Sequence, residues 1–110
     1  MIAVAFTSID HIDTAECTAR SITICNAANY ANQLVSERAV GLAIALLRNI
    51  PAADTAARTG STTTGITGRE IAGRTVGIIG TGCIGLVTVR LFAAFGTKII
   101  AYSKSESDAA

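Results

Sequence analysis

The sequence has little of what marks a nucleic-acid binder or a membrane protein. Its 9 Lys and Arg residues nearly cancel its 8 Asp and Glu residues, and the net charge of +1 gives no electrostatic footprint for nucleic acid. The longest apolar run, from Ala39 to Leu47, is far shorter than the ~20 residues that cross a bilayer. We therefore expect no nucleic acid and no membrane as partner, but a small-molecule ligand.

Metal ligands are also scarce. Cys17, Cys25 and Cys83 form no CxxC pair and His11 is the only histidine, so we predict no metal site. The three cysteines are predicted to be reduced and buried. The first residues show no basic leader followed by an apolar core, which predicts a cytoplasmic protein without a secretory signal.

The first 31 residues have the pattern of a strand, a short helix and a second strand. The run from Ala3 to Ser8 is apolar and partly β-branched. Asp13 and Glu16 have the spacing of a capping box, which predicts a helix from an Asp13 N-cap to about Arg20. The run from Ile22 to Cys25 predicts a buried strand.

A longer helix is predicted from about Asn32 to Ile50, and its two apolar stripes indicate that it is mostly buried. Pro51 interrupts the periodicity, and residues that favour turns predict a loop from about Thr59 to Gly68. The apolar positions that recur at helical spacing are Val35, Ala39, Leu42, Leu46 and Ile50.

A second strand–helix–strand unit follows. We predict a strand from Thr75 to Ile79, a helix from Cys83 to Phe95 and a strand from Lys98 to Tyr102. Gly96 stands where a left-handed residue ends a helix without steric cost. The alternation of strands and helices predicts an α/β fold.

A GxGxxG motif lies between that strand and that helix. Gly80 permits a tight turn, Gly82 lets a pyrophosphate approach the backbone, and Gly85 lets helix and strand pack closely. The free amides from Thr81 to Ile84 and the helix dipole would stabilise a diphosphate without a basic side chain. The alternative is a tight turn in an unrelated α/β protein, but the strand before and the helix after the motif favour dinucleotide binding. The motif is Gly80, Thr81, Gly82, Cys83, Ile84 and Gly85.

Ser103 and Lys104 occupy the position that would contact the ribose, about 20 residues beyond the motif. A carboxylate there would bind both ribose hydroxyls, whereas a small hydroxyl beside a cation suits a 2′-phosphate. The cofactor is therefore NAD or NADP, with NADP favoured. The alternative, that both are simply exposed turn residues, has equal weight on this evidence.

No catalytic residue is assigned. His11 lies between Asp10 and Asp13, but it falls at the junction of a strand and a capped helix, so we expect a structural role for it. The sequence pairs no Ser, Thr or Cys with a base that would activate it, so it does not indicate nucleophilic catalysis.

The segment from Arg74 to Gly85, continued by Phe95-Gly96 and by Ile100 to Ser103, resembles the NAD-binding domain of the D-isomer-specific 2-hydroxyacid dehydrogenases. Other motifs resemble the same family in order along almost the whole chain. These are Ser8 to Asp13, Ile24 to Ala27 with Tyr30, Val35-Ser36-Glu37 and Thr67 to Gly73.

The resemblance implies a Rossmann-type βαβ cofactor unit preceded by part of a flavodoxin-like substrate domain and a long connecting helix. Residues 1–31 would end the substrate domain, 32–58 form the interdomain helix, 59–74 the loop and approach, and 75–110 the first βαβ of the NAD(P)-binding domain. Cys83 and Ile84 match residues whose backbone meets the diphosphate, and Ser103 matches the ribose position. Departures include Ala28-Asn29 in place of a Pro-Gly turn and Leu86 in place of a polar residue.

The family's substrate-binding Arg, its carboxylate and its acid–base His would lie beyond this sequence. We therefore expect a fragment of an enzyme that transfers a hydride between NAD(P)H and a small 2-hydroxy or 2-keto acid, homodimeric when full length, with the 110-residue chain inactive alone. The alternative is a stand-alone nucleotide-binding or interaction module without catalysis. A flavin or another adenine nucleotide as ligand ranks below both.

Overall fold

A computed structural model describes residues 1–104 and divides the chain into two compact units, the first comprising Met1–Asn32 and the second beginning at Gln33. Strands and helices alternate through most of the chain, and both strand pairs are parallel, as expected for an α/β protein. The elements are β1 (Ile2–Val4), α1 (Thr14–Ala19), β2 (Ile24–Asn26), α2 (Asn32–Leu47), α3 (Ile50–Arg58), β3 (Thr75–Ile79), α4 (Cys83–Ala94) and β4 (Lys98–Tyr102).

The first unit is a small βαβ. β1 and β2 pair in parallel, with Ile2 opposite Ile24, and α1 connects them. The predicted N-cap is confirmed, because the Asp13 side chain accepts a 2.9 Å hydrogen bond from the Glu16 amide. This contact satisfies one of the amides that the first helical turn leaves without a partner.

Both strands of this unit differ from the predicted ranges. β1 ends at Val4 rather than Ser8, because the chain bends at residues 5–7. β2 begins at Ile24 rather than Ile22, because the Ile22 amide donates to the Cys17 carbonyl at the end of α1. Neither strand is deeply buried, which corrects the expectation of a buried second strand.

The predicted helix from Asn32 to Ile50 is interrupted. α2 ends at Leu47, and Asn49 adopts a left-handed conformation with φ of 51°. The side-chain amide of Asn49 donates to the Thr67 carbonyl. Asn tolerates this conformation better than most residues. Pro51 then lies in the first turn of α3, where its missing N–H costs nothing, so it begins a helix that the periodicity did not predict. The loop predicted from Thr59 to Gly68 is confirmed.

The βαβ segment formed by β3, α4 and β4 follows the prediction closely. β3 and β4 have the predicted bounds, and α4 ends one residue earlier than predicted, at Ala94. Gly96 has φ of 70°, as a left-handed residue after a helix requires. The strands pair in parallel from Thr75 opposite Lys98 to Ile79 opposite Tyr102, so their carboxyl ends lie at the same edge.

Burial is lower than predicted for α2 and for the cysteines. Only Ser36 and Val40 of α2 are buried, whereas Leu42 and Leu46 are 61% and 76% exposed. These leucines meet no covering element within residues 1–104. Cys17 is buried, but Cys25 and Cys83 are exposed, and all three are free thiols. No helix of the described part combines the length and hydropathy needed to cross a membrane.

Candidate functional site

The turn from β3 into α4 comprises residues 80–85 and is called the cradle below. Gly80 follows the last residue of β3 with φ of 98°, a conformation that side chains strongly disfavour. Gly82 is the N-cap of α4, with extended φ and ψ of −70° and −171°. The glycine motif therefore lies on the strand–turn–helix that dinucleotide binding requires.

The third glycine brings strand and helix together. A Cβ atom on Gly85 would overlap the Gly80 carbonyl oxygen and would lie 2.9 Å from the carbonyl carbon. Real Cβ atoms do not approach backbone atoms so closely. The predicted packing role of Gly85 is therefore confirmed, and no larger residue fits there without opening the cradle.

The amides of the cradle are available to a ligand. Within residues 1–104, the N–H groups of residues 81–84 have no hydrogen-bond acceptor, and no side chain caps α4. Beyond them, the Leu86 amide donates a hydrogen bond of 2.9 Å to the Gly82 carbonyl. Unpaired amides at a helix N-terminus attract an anion, because the helix dipole adds partial positive charge there.

The side chains around these amides leave room for an anion. The first turn of α4 carries no acidic residue, so no carboxylate repels negative charge at this end of the helix. A Cβ on Gly82 would meet nothing within 4 Å, so the space above this residue is open. An open surface lined by amides fits the diphosphate of a dinucleotide, which needs close backbone approach rather than a deep cavity.

Ser103 and Lys104 lie beside the cradle at the same sheet edge. The Gly80 amide donates to the Tyr102 carbonyl at 2.7 Å, which ties the first residue of the cradle to the last residue of β4. Ser103 follows directly and is half-buried, whereas Lys104 is exposed. The structure thus brings the cradle and both predicted ribose-contacting residues to one edge, as the topology of parallel strands requires.

Sequence reasoning missed two buried hydroxyl groups that touch the cradle. Ser36 of α2 is fully buried and donates to the Ile84 carbonyl at 3.0 Å, and Thr88 lies 3.0 Å from the same Ser36 oxygen. Hydrophobic periodicity gives no weight to small polar residues, which is why the apolar patterns of α2 and α4 did not reveal these two hydroxyl groups. The one signal in the sequence was that Thr88 follows Ile84 by four residues, the spacing at which a threonine hydroxyl in a helix can donate to a backbone carbonyl.

His11 lies in the first unit, whereas the cradle belongs to the second. Its side chain is exposed and makes no hydrogen bond to the described residues, so the structural role expected for it is not seen. Its neighbour Asp13 is engaged in capping α1. Residues 1–104 hold no cluster of three His, Cys, Asp or Glu side chains that could bind a metal ion.

An apolar pocket of about 300 Å³ lies elsewhere in the second unit, between the end of α2 and residues 69–72. It contains no residue of the cradle, and its walls are mainly Ile44, Leu47, Ile71 and Phe95. We place the candidate site at the cradle rather than in this pocket. Unpaired amides at a helix N-terminus indicate an anionic ligand, whereas apolar walls do not indicate which class of ligand would bind.

Comparisons with known proteins found relatives in sequence and in fold. The chain is 42% identical over 101 residues to the glyoxylate/hydroxypyruvate reductase of Arabidopsis thaliana, which covers 89% of this chain and 31% of that protein. Its fold superposes on the structure of D-2-hydroxyisocaproate dehydrogenase with a TM-score of 0.87 and 29% identity, over 98% of this chain and 33% of the other.

A third relative, the structure of an acyclic imino acid reductase in complex with NADPH and D-Arg, has a TM-score of 0.85 and 31% identity, over 96% of this chain and 35% of that one. The chain thus spans about a third of the length of these proteins. Residues 40–110 match the model of the NAD-binding domain of D-isomer-specific 2-hydroxyacid dehydrogenases, a region that contains the whole cradle and both residues after β4. The chain therefore belongs to the D-isomer-specific 2-hydroxyacid dehydrogenase family.

Proposed function

We propose that this chain binds the diphosphate and adenosine ribose of NAD(P)H for an oxidoreductase that acts on a small 2-hydroxy or 2-keto acid. The observation that carries the proposal is the set of unpaired amides at residues 81–84, at the uncapped N-terminus of α4. The relatives named above are reductases or dehydrogenases, two of them by name of hydroxy or keto acids, which supports this reaction class.

The chain's own residues bind and orient rather than react. The amides of residues 81–84 would neutralise the diphosphate, and the open space at Gly82 would let it approach the backbone. Ser103 would contact the ribose at the end of β4. When bound, the cofactor supplies the hydride, and fixing its diphosphate end sets where its nicotinamide ring can reach.

We also propose the domain layout expected from the sequence. Residues 1–31 would end a substrate-binding domain, 32–58 would connect the domains, 59–74 would lead into the cofactor domain, and 75–110 would form its first βαβ. A homodimeric, cytoplasmic enzyme completes the proposal. The family resemblance is what supports these statements.

The residues after β4 favour NADP(H). Ser103 offers a hydroxyl that can donate to a 2′-phosphate, and position 103 itself carries no carboxylate that would repel the phosphate. Lys104 adds an exposed positive charge one residue later. A lysine is a mobile point charge and makes a less directional contact than the fork of an arginine, so the expected preference is modest.

Gly82→Ala tests the cradle without disturbing the fold. Gly82 has a φ of −70°, which alanine accepts, and the new methyl group would meet no protein atom within 4 Å. The methyl group would instead occupy the space that the diphosphate needs. We expect the dissociation constant for NADPH, measured by fluorescence titration, to rise at least about tenfold, or ~1.4 kcal/mol.

The matched control is Gly41→Ala on α2, where an added Cβ also meets nothing within 4 Å. It should bind NADPH as the wild type does, and both variants should keep the wild-type circular dichroism spectrum. If Gly82→Ala binds NADPH normally, the diphosphate does not lie against Gly82 and the proposed site is wrong.

Ser103→Asp tests cofactor selection. The new carboxylate would accept hydrogen bonds from the ribose hydroxyls and repel a 2′-phosphate, so the ratio of the NADPH to the NADH dissociation constants should rise about tenfold. Ser61→Asp adds the same charge in the exposed loop after α3 and should leave the ratio unchanged. An unchanged ratio in Ser103→Asp would show that another residue selects the cofactor.

The 110-residue chain is expected to bind the cofactor without turnover. Its only imidazole, His11, is exposed and makes no hydrogen bond among residues 1–104, so we expect no histidine of this chain to serve as the acid–base for the hydroxyl proton. Purified protein mixed with NADPH and glyoxylate, pyruvate or hydroxypyruvate should show no loss of absorbance at the nicotinamide band. Steady consumption that copurifies with the chain would contradict this expectation.

A further inference from the structure

Two helices of the second unit are joined by a buried group of polar atoms that we call the hydroxyl triad: Ser36 Oγ, Thr88 Oγ1 and the Ile84 carbonyl oxygen. Ser36 Oγ donates to the Ile84 oxygen at 3.0 Å, and Thr88 Oγ1 lies 3.0 Å from Ser36 Oγ and 2.9 Å from the Ile84 oxygen. Ser36 has no exposed surface and Thr88 is 7% exposed. The triad therefore lies in one of the best-buried parts of the chain.

A polar contact in this position constrains geometry more than an apolar one. Burying a hydroxyl is costly unless it is hydrogen-bonded, and the bond from Ser36 to the Ile84 oxygen favours the alignment of α2 and α4 in which these atoms meet. Apolar side chains would tolerate sliding of one helix along the other. The single Thr88 proton can be donated to either neighbouring oxygen, and both choices keep the three atoms together.

The triad acts on the cradle because Ile84 belongs to both. The Ile84 amide is one of the unpaired amides, and its carbonyl oxygen is the atom that Ser36 holds. The next residue, Gly85, packs against the Gly80 carbonyl. The first turn of α4 is thus fixed at consecutive residues by two different elements, α2 and the turn after β3.

We propose that Ser36 and Thr88 are positioning residues for the cradle, and that their hydroxyl groups hold the first turn of α4 so that its amides meet a diphosphate. This inference rests on the proposed function. Neither side chain touches the cofactor; both act through the backbone of Ile84. Hydrogen-bond donors that must bind an anion lose affinity when they are displaced by a fraction of an ångström, so the support beneath them affects binding.

The test uses pairs of variants that separate the hydroxyl from the packing. Thr88→Val keeps the branched shape and removes the hydroxyl, whereas Thr88→Ser keeps the hydroxyl and removes the methyl group. Ser36→Ala removes the other hydroxyl with little change of volume. The control is Thr97→Val, because the Thr97 hydroxyl donates to the Phe92 carbonyl at 2.9 Å, at the opposite end of the same helix.

The 110-residue chain and its variants are titrated with ADP-ribose by calorimetry, and their thermal unfolding midpoints are measured in parallel. We expect Thr88→Val and Ser36→Ala to raise the dissociation constant about threefold to tenfold, as the loss of a hydrogen bond would. Thr88→Ser should bind as the wild type does even where its unfolding midpoint falls. Thr97→Val should also bind as the wild type does.

The outcomes separate the two proposals. If the wild type binds ADP-ribose and Thr88→Val and Ser36→Ala bind it equally well, the hydroxyl triad does not position the cradle. If Thr88→Ser loses as much affinity as Thr88→Val, packing rather than the hydroxyl is responsible and the inference is wrong. If the wild type does not bind ADP-ribose, the proposed function fails, and this inference fails with it.

Discussion

The close approach of Gly85 to the Gly80 carbonyl oxygen is the constraint on which the candidate site depends. The space for a Cβ atom at Gly85 is already filled by the backbone of the turn after β3. Because of this contact, α4 begins immediately beside the end of β3, and its N-terminus lies at the carboxyl edge of the β3–β4 pair. The positions of the unpaired amides and of Ser103 both follow from that arrangement.

The same arrangement leaves backbone groups without partners at a cost that a ligand can offset. A helix whose N-cap is glycine has no side-chain acceptor for its first amides, and the N–H groups of residues 81–84 have none in the described chain. Gly82 and Cys83 are exposed, so water can bind their amides at little cost where no anion is bound. Recognition by amides is how a cradle without a basic side chain in its first turn would hold the proposed diphosphate.

Because the first turn of α4 is held in place, the positions of its amides would set the position of a bound cofactor. The turn after β3 holds Gly85, and α2 holds Ile84 through Ser36, so two elements that are distant in sequence restrict the same helical turn. A cofactor domain needs this rigidity because a small error at the diphosphate becomes a larger displacement at the far end of an extended dinucleotide. Buried hydroxyl groups between helices suit the task, since their bonds are directional while their small size allows close packing.

Local signals in the sequence predicted β3, α4 and β4 better than they predicted the rest of the second unit. The glycine motif and the flanking β-branched runs specify β3, α4 and β4, because turn chemistry and periodicity act over a few residues. The Asp13 cap was predicted for the same reason. Asn49 was not, because its left-handed conformation is supported by a contact with the distant Thr67 carbonyl.

Burial was the least predictable property. The stripes of α2 were interpreted as a buried helix, yet Leu42 and Leu46 are exposed and the fully buried residue of this helix is Ser36. Periodicity shows which face of a helix is apolar, but not what covers it. The importance of Ser36 depends on Thr88, 52 residues away, and no local pattern connects the two.

The most direct test of the central claim is to follow the backbone amides themselves. Uniformly ¹⁵N-labelled chain is titrated with NADPH and, separately, with adenosine, which has no diphosphate. We predict that NADPH produces its largest amide shifts at residues 81–84 and that adenosine leaves these four unchanged. Saturable NADPH binding with no shift at these four amides, or no binding at all, would contradict the assignment of the cradle as the diphosphate site.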